Sequence, residues 1–300
     1  MDVISSIVTN SETIIRFLLD VIPSAEPDTW LRKQLLIRGE KPTVAAALLF
    51  ADEPQAVLPK HCGVKVYRYG TKEARGTRET LIGDPATVEG CLYDQIDATV
   101  RKTISIIEKL EILGEQGPEA ARYPKETLHE IITNALLHRD YSIPDDVHVR
   151  IFENRIEVES PGRLPGHITQ DNILDERFAR NGQLVRLINK FPNPPNKDVG
   201  EGLNTAFEAM RSLELREPTI EERPNSVLVS IRHERIAPPE VLVLDYLKTN
   251  ESITNRIGRE ICHIGSENKM KGVFERLMKL GKIERIPELL GNKAAYRKKS

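Results

Sequence analysis

The sequence predicts an α+β protein in three segments. Helices lie on one face of a mostly antiparallel sheet in the middle, and a small helical unit closed by a β-hairpin follows. Three observations carry that expectation. Apolar residues alternate between helical and strand spacing from Ser11 to Arg232. Two breaks, GEQGPEAARYP at 114–124 and Ala237-Pro238-Pro239, punctuate the chain and predict segments 1–117, 118–236 and 237–300. Charge is segregated: residues 238–300 hold 13 Lys/Arg against 8 Asp/Glu, a balance of +5. The rest holds 30 against 37, a balance of −7. A basic end on an acidic body predicts a nucleic-acid contact confined to that end.

The elements follow in order. Ser11 to Val21 carries apolar residues at helical spacing, and Leu31 to Arg38 reads as a second short helix or a strand. Lys41-Pro42-Thr43 opens the apolar run VAAALLF, with the proline at the start, where it is tolerated. Val64 to Tyr69 alternates as a strand, and one long amphipathic helix is expected from Ala86 to Leu110. The middle segment reads helix (Lys125 to His138), strand (Val147 to Phe152), strand (Arg155 to Glu159), helix (Gln183 to Asn189), the loop FPNPPNKD, a helix from Gly202 to Met210, and a closing strand (Ser226 to Arg232).

Composition narrows the class. Hydrophobic residues make up 39% and charged ones 29%, which suits a packed globular chain. The three cysteines, Cys62, Cys91 and Cys262, are odd in number and far apart, so neither a disulfide framework nor a metal spacing can be built from them. A reducing cytoplasm is the expected home. The N-terminus MDVISSIVTN has no basic segment, and the longest apolar run, Val44 to Ala51, is too short to span a bilayer, so no membrane association is expected.

The sharpest chemical signal lies on the helix 125–138. Leu128, Ile131, Ile132, Ala135 and Leu136 form its apolar stripe, and Glu126, Glu130 and Asn134 share another face. A carboxylate and a carboxamide one turn apart suit a divalent metal and an activated water: the amide oxygen is a hard ligand for Mg²⁺, and the carboxylate orients or deprotonates water. Such a pair on a helix face is more often simply solvated.

Around this helix the chain resembles a family. YPKETLHEIITNALLHRDYS, then RIEVESPGRL, then DVGEGL look like the GHKL-type (Bergerat) ATPase module of bacterial "RecG-like" transcriptional regulators that carry a Schlafen-type AlbA-like domain. KPTVAAALLFADEPQAVLP resembles the stretch joining the two domains, so the likeness covers nearly the whole chain; an AlbA-like domain usually precedes it, and this chain is expected to be a fragment or a form without one. The resemblance implies a cytoplasmic, DNA-binding regulator holding ATP and Mg²⁺. By it, Glu130 polarises the hydrolytic water and Asn134 coordinates Mg²⁺. Glu159, with Pro161 and Gly162 after it, occupies the adenine-binding position, and Gly200 and Gly202 admit the phosphates at a helix N-terminus. Arg180-Asn181 resembles a basic-Asn pair before a lid helix. The sequence departs from the family where Glu159 stands for an Asp and a proline intrudes for a glycine. Active Mg²⁺-dependent hydrolysis on DNA, or a degenerate scaffold, are the alternatives.

Other motifs are weaker. His138-Arg139-Asp140 mimics a kinase catalytic loop, but Asp145 stands where its Asn belongs; His138 and Arg139 are expected to cap the helix C-terminus or touch phosphate. No Gly-x4-Gly-Lys-Ser/Thr occurs, so there is no P-loop.

The last segment reads as a first helix from Pro239 to Leu247 with Val241, Val243, Leu244 and Leu247 partly buried, then a second from Ile253 to Cys262. After the turn Ile264-Gly265-Ser266, a third helix runs to Leu280, burying Val273, Leu277 and Leu280. Strands Lys282 to Arg285 and Ala294 to Arg297 flank Gly291-Asn292-Lys293. This order matches a winged helix, in which the third helix would meet double-stranded DNA with Asn268, Lys269, Lys271 and Arg276, while Lys293, Arg297 and Lys298 reach phosphates. A homodimer reading two half-sites is expected; winged helices also serve as packing modules.

Overall fold

A mixed six-stranded sheet organises the larger of two units, Met1–Glu234, in the computed structural model; the smaller is Arg235–Ser300. The structure describes residues 4–58, 61–114, 117–121, 123–176, 178–195, 202–233, 238–262, 264–287, 289 and 294–299.

The larger unit begins with short helices α1 (Ser6–Thr9), α2 (Glu12–Val21) and α3 (Pro27–Lys33), a two-residue hairpin β1 (Ile37–Arg38) and β2 (Lys41–Pro42), then α4 (Val44–Phe50) and α5 (Pro54–Val57). Capping sets the starts: Ser11 Oγ accepts from the Ile14 N–H, and Thr43 Oγ1 from that of Ala46. The stretch 31–38, open between helix and strand by sequence, is both. Pro27 sits in the first turn of α3 and the Glu26 carboxylate accepts from the N–H groups of Asp28 and Thr29, so the helix starts early and leaves Ile37–Arg38 to pair as a strand.

The sheet is built from β3 (Val64–Arg68), β4 (Ala86–Val88), β7 (Val147–Ile151), β8 (Arg155–Pro161), β9 (Thr219–Glu222) and β10 (Ser226–Arg232), in the order β4-β3-β7-β8-β10-β9. Only β3 and β7 run parallel; the other neighbours are antiparallel. The expected single helix 86–110 is therefore corrected. Ala86–Val88 pairs with β3 at the sheet edge, Gly90 takes φ +111°, and helix α6 (Leu92–Ile107) starts after it. The stretch 114–124, expected as a loop, contributes to a hairpin of β5 (Glu111–Gly114) and β6 (Gly117–Ala120). The strand β9 was not anticipated; its Thr-Ile-Glu-Glu sequence pairs only with β10 and suits an edge. Strands from both sides of 114–124 enter this one sheet, so that expected boundary falls inside the larger unit.

Helices α6 and α7 (Lys125–Leu137) pack on one face, with α9 (Gly202–Ser212) against α7 and α8 (Gly182–Ile188) against α4. Registered neighbours Val66, Val149, Val158 and Val229 form an apolar row across four strands beneath them. Leu128, Ile131, Ile132, Ala135 and Leu136 of α7 are buried as the spacing predicts, and Thr127 Oγ1 donates to the Ala206 carbonyl, tying α7 to α9.

The smaller unit runs α10 (Pro239–Thr249), β11 (Ile253–Thr254), α11 (Asn255–Ile261), α12 (Glu267–Lys279), β12 (Ile283–Arg285) and β13 (Ala295–Lys298), with a three-stranded antiparallel sheet ordered β11-β13-β12. Ile253 and Thr254, expected at the start of a helix, pair with Tyr296 and Ala295, and Thr254 caps α11. Val243, Leu247, Val273, Phe274 and Leu277 form its core. Two expectations fail: Leu280 is 67% exposed and Val241 44%. Leu280 follows the last helical residue, where Gly281 at φ +66° turns the chain, and Val241 lies off the stripe carrying Val243 and Leu247.

Candidate functional site

Helix α7 presents its polar face to a cavity of about 430 Å³ bounded by the sheet, residues of the stretches 162–176 and 178–179, and the start of α9. Glu130 and Asn134 line it together; Glu126, the third member of the expected face, is exposed and does not. Asn134 Nδ2 donates to Glu130 Oε1 at 2.7 Å, which leaves Asn134 Oδ1 as an acceptor. Burial raises the Glu130 carboxyl above its ordinary range, against the opposing Asn134 bond and the His129 charge.

Gly202 lies against this pair. A Cβ there would lie 1.9 Å from Glu130 Oε1, so the backbone meets the carboxylate only because no side chain intervenes. Gly162, also on the cavity, takes φ +105°, and a Cβ on it would come 2.7 Å from that of Asp140. Gly200 lies outside the described residues.

The far end of α7 is held by an unusually full set of acceptor contacts. The carbonyls of Asn134, Ala135, Leu136, Leu137 and His138 accept from the His138 N–H, Ser160 Oγ, Tyr141 Oη, Asn181 Nδ2 and Arg180 Nε, respectively. Arg180 and Asn181 therefore cap the helix, and the expected capping by His138 and Arg139 side chains is corrected. Burial, with the Arg180 charge, pushes the His138 imidazole down to about 4, so it carries no charge near neutrality. The fully buried Arg139 turns instead to the carbonyls of His61, Ile143 and Asp145. Its guanidinium lies 4.7 Å from the Tyr141 ring centroid.

Glu159 is placed away from the cavity. Strand alternation sends Val158 and Ser160 to the cavity face and Glu159 to the other. There its carboxylate meets Arg150 at 2.5 Å, Ser226 Oγ at 2.6 Å and Arg223 at 3.3 Å. Burial pushes this carboxyl up, but the Ser226 and Arg150 bonds and the Arg223 charge outweigh it and hold it below the usual range. A residue so engaged on the opposite face cannot meet a base in the cavity, and the adenine contact expected of Glu159 is corrected on that ground. Ser160, Arg163, Glu176 and Asn204, which sequence reasoning did not assign to the site, line the cavity, as does His138. The alternation of Ile156, Val158 and Ser160 was the available signal for Ser160.

In the smaller unit Asn268, Lys269, Lys271 and Arg276 are exposed on α12. Lys271 pairs with Glu267 at 2.9 Å and Arg276 with Glu240 of α10 at 2.7 Å. Arg297, on β13, pairs with Glu284 across the hairpin at 2.7 Å; Lys293 lies outside the described residues. Among the described residues no helix is long and apolar enough to cross a membrane.

Residues 145–231 match the HATPase_c_4 family model, described as "Putative ATP-dependent DNA helicase recG C-terminal". No curated protein matches. Among solved structures, the DIP2311 protein from Corynebacterium diphtheriae is 18% identical with a TM-score of 0.60, over 98% of this chain and 63% of that one. At that identity the likeness is one of fold, and this chain spans 63% of the other's length. The matched segment contributes β7 to β10, Ser160, Gly162 and Gly202, so an ATPase-like module forms the sheet side of the cavity.

Proposed function

We propose that the chain is a DNA-binding regulator whose larger unit binds a nucleoside triphosphate, ATP on the family likeness, together with Mg²⁺. The observation that carries the nucleotide reading is the Glu130–Asn134 pair, aimed into a cavity whose wall opens at Gly202 on the first turn of α9. The donor set fits the group. Asn134 Oδ1 is a hard ligand of the kind Mg²⁺ takes, and the first-turn N–H groups of α9 favour an anion. The cavity volume lies within the ordinary range of small-molecule sites. Bound Mg²⁺ would neutralise phosphate charge beside the Glu130 carboxylate. Asn134 then orients the ion, Gly202 admits the phosphates, and Glu130 holds a water by its remaining oxygen.

Turnover is the second reading, favoured by one observation: burial brings the Glu130 carboxyl nearer to the working pH of a general base. The DNA reading rests on the helix-strand-helix-helix-strand-strand order of the smaller unit, its basic balance, and the exposed Asn268, Lys269, Lys271 and Arg276 of α12. We read it as a winged helix, and a homodimer would present two such helices to two half-sites.

A nucleotide titration with and without Mg²⁺, on wild type, Glu130→Gln and Asn134→Ala, tests the first part. Binding should need Mg²⁺ and weaken about tenfold in Asn134→Ala, while Glu130→Gln should bind but not turn over. No binding at millimolar nucleotide would leave the module a scaffold.

A further inference from the structure

We infer that the open face of the sheet carries a second site, in which Tyr67 is a nucleophile toward a phosphodiester and His148 is its base. The inference goes beyond the nucleotide reading and does not depend on it, because this site lies on the face away from the cavity. Val66 of β3 and Val147 and Val149 of β7 are buried toward the helices, so strand alternation turns Lys65, Tyr67, His148 and Arg150 to the opposite face. The two strands are parallel neighbours, with Lys65 beside His148 and Tyr67 beside Arg150, which gathers the four into one patch.

A chain of hydrogen bonds runs through the patch. Tyr67 Oη lies 3.3 Å from His148 Nδ1, and His148 Nε2 lies 3.1 Å from Asp145 Oδ1. A carboxylate can only accept, so in the neutral ring Nε2 carries the proton and Nδ1 is left to accept from the phenol. Asp145 Oδ1 also accepts from the Asp146 N–H at 2.9 Å, which fixes the carboxylate. The Asp146 carboxylate turns elsewhere, to the Gly63 N–H and His61. Nucleophile, base and orienting carboxylate thus stand in sequence, the arrangement that activates a hydroxyl for attack. Tyr67 needs that base: burial, and then its neighbour Tyr69, hold the phenol above its ordinary range and keep it protonated.

The charges beside Tyr67 select the substrate. Lys65 Nζ donates to Thr87 Oγ1 and Arg150 to Glu159, and each keeps further N–H donors for an anion. With Glu159 drawing on Arg150 and Asp145 on His148, the patch suits a single negative charge, which is what a phosphodiester carries. Tyr67 Oη attacks phosphorus as its proton passes to His148 Nδ1. The bond from phosphorus to one ester oxygen breaks, and that oxygen takes the proton from His148 as it leaves. A tyrosyl phosphodiester remains, and nothing is oxidised or reduced. Tyr69 is no second nucleophile: Gly76 lies so close over its ring that a Cβ there would collide with it.

The probe is bis(4-nitrophenyl) phosphate, added to the full chain without nucleotide. Released 4-nitrophenolate is followed by absorbance and the adduct by peptide mass. Wild type should release about one equivalent per chain and gain a 4-nitrophenyl phosphate group on the peptide holding Tyr67. Tyr67→Phe should give neither, and Tyr69→Phe should match wild type. His148→Gly should release about 100-fold more slowly, with added imidazole restoring part of the rate. That rescue answers to the missing base alone, so a variant merely loosened in its fold would not show it. No release by wild type, an adduct on another residue, release that survives Tyr67→Phe, or a His148→Gly rate that imidazole leaves unchanged would overturn the proposal. None of these outcomes bears on the cavity, whose own test uses nucleotide and Mg²⁺.

Discussion

Replacing Gly202 by alanine puts the proposed site to its most direct test. The new Cβ would fall 1.9 Å from Glu130 Oε1, 2.2 Å from its Cδ and 2.6 Å from Oε2. The atoms it meets belong to the end of a flexible side chain, so the carboxylate swings away and the backbone stays. The swing breaks the 2.7 Å bond from Asn134, a bond to a charged group in the class worth about 1.5–3 kcal/mol. Two effects offset that loss in overall stability. Alanine favours a helix over glycine by up to about 1 kcal/mol, and the carboxylate, whose ionised form burial disfavours, regains water. Stability should therefore change by no more than about 1 kcal/mol, while Mg²⁺-nucleotide affinity falls about 10- to 100-fold, at about 1.4 kcal/mol per decade. Denaturant unfolding and calorimetric titration of the same preparation give both numbers. Unchanged affinity would refute the placement of Glu130 and Gly202 in one site; a stability loss as large as the binding loss would show Gly202 to be structural only.

Three further outcomes follow from other parts of the molecule. Gly162→Ala should cost about 2 kcal/mol or more in chemical denaturation, since φ +105° and a Cβ 3.1 Å from the Asp140 nitrogen both resist a side chain; a loss under about 0.5 kcal/mol contradicts the geometry. His138 is held near 4 against an ordinary 6.5, so the fold disfavours its protonated form. Its contribution is whole above pH 6.5 and is lost as pH falls toward 4, about 3 kcal/mol in all, and unfolding curves of wild type and His138→Phe should diverge over that window. For the smaller unit, Lys269→Ala and Lys271→Ala should each lower the slope of log affinity for duplex DNA against log salt by about one, without changing sequence preference; unchanged slopes would remove α12 from the contact.

The legible parts of the chain were those in which local chemistry decides. The stripe on α7, the N-cap Ser266 of α12, and the strands β3, β7 and β10 fell where local pattern put them. The illegible parts depended on distant partners. Ala86–Val88 is a strand only because Val64–Val66 offers an edge, and Ile253–Thr254 only because β13 does. Glu159 was misassigned because residue type was weighed over parity. In a strand whose Ile156 and Val158 are buried inward, residue 159 faces outward whatever its chemistry, and Arg150, Arg223 and Ser226 wait for it there. His138 and Arg139 looked like capping cations by position, but that logic holds only in water. Burial removes the charge of one, and the other is drawn to three loop carbonyls.

The same long-range logic explains why residues 4–58 belong to a unit whose site they do not line. Helix α8 supplies Val185 to the cavity, yet at seven residues it is too short to hold its own position. The N-terminal helices hold it. Gln183 Nε2 donates to the Gln34 carbonyl at 3.0 Å and Arg186 to the Gln34 side chain at 2.9 Å. Phe191, just beyond α8, packs with Phe17 and Phe50, which in turn meet Trp30. Leu35, next to Gln34, adopts φ +59°, a conformation that costs a leucine on the order of 1 kcal/mol and persists only where its neighbours fix it. The cavity wall is therefore positioned by a cluster almost 150 residues earlier in the chain. Removing Gln34's two contacts should loosen α8 and weaken ligand binding without touching a lining residue.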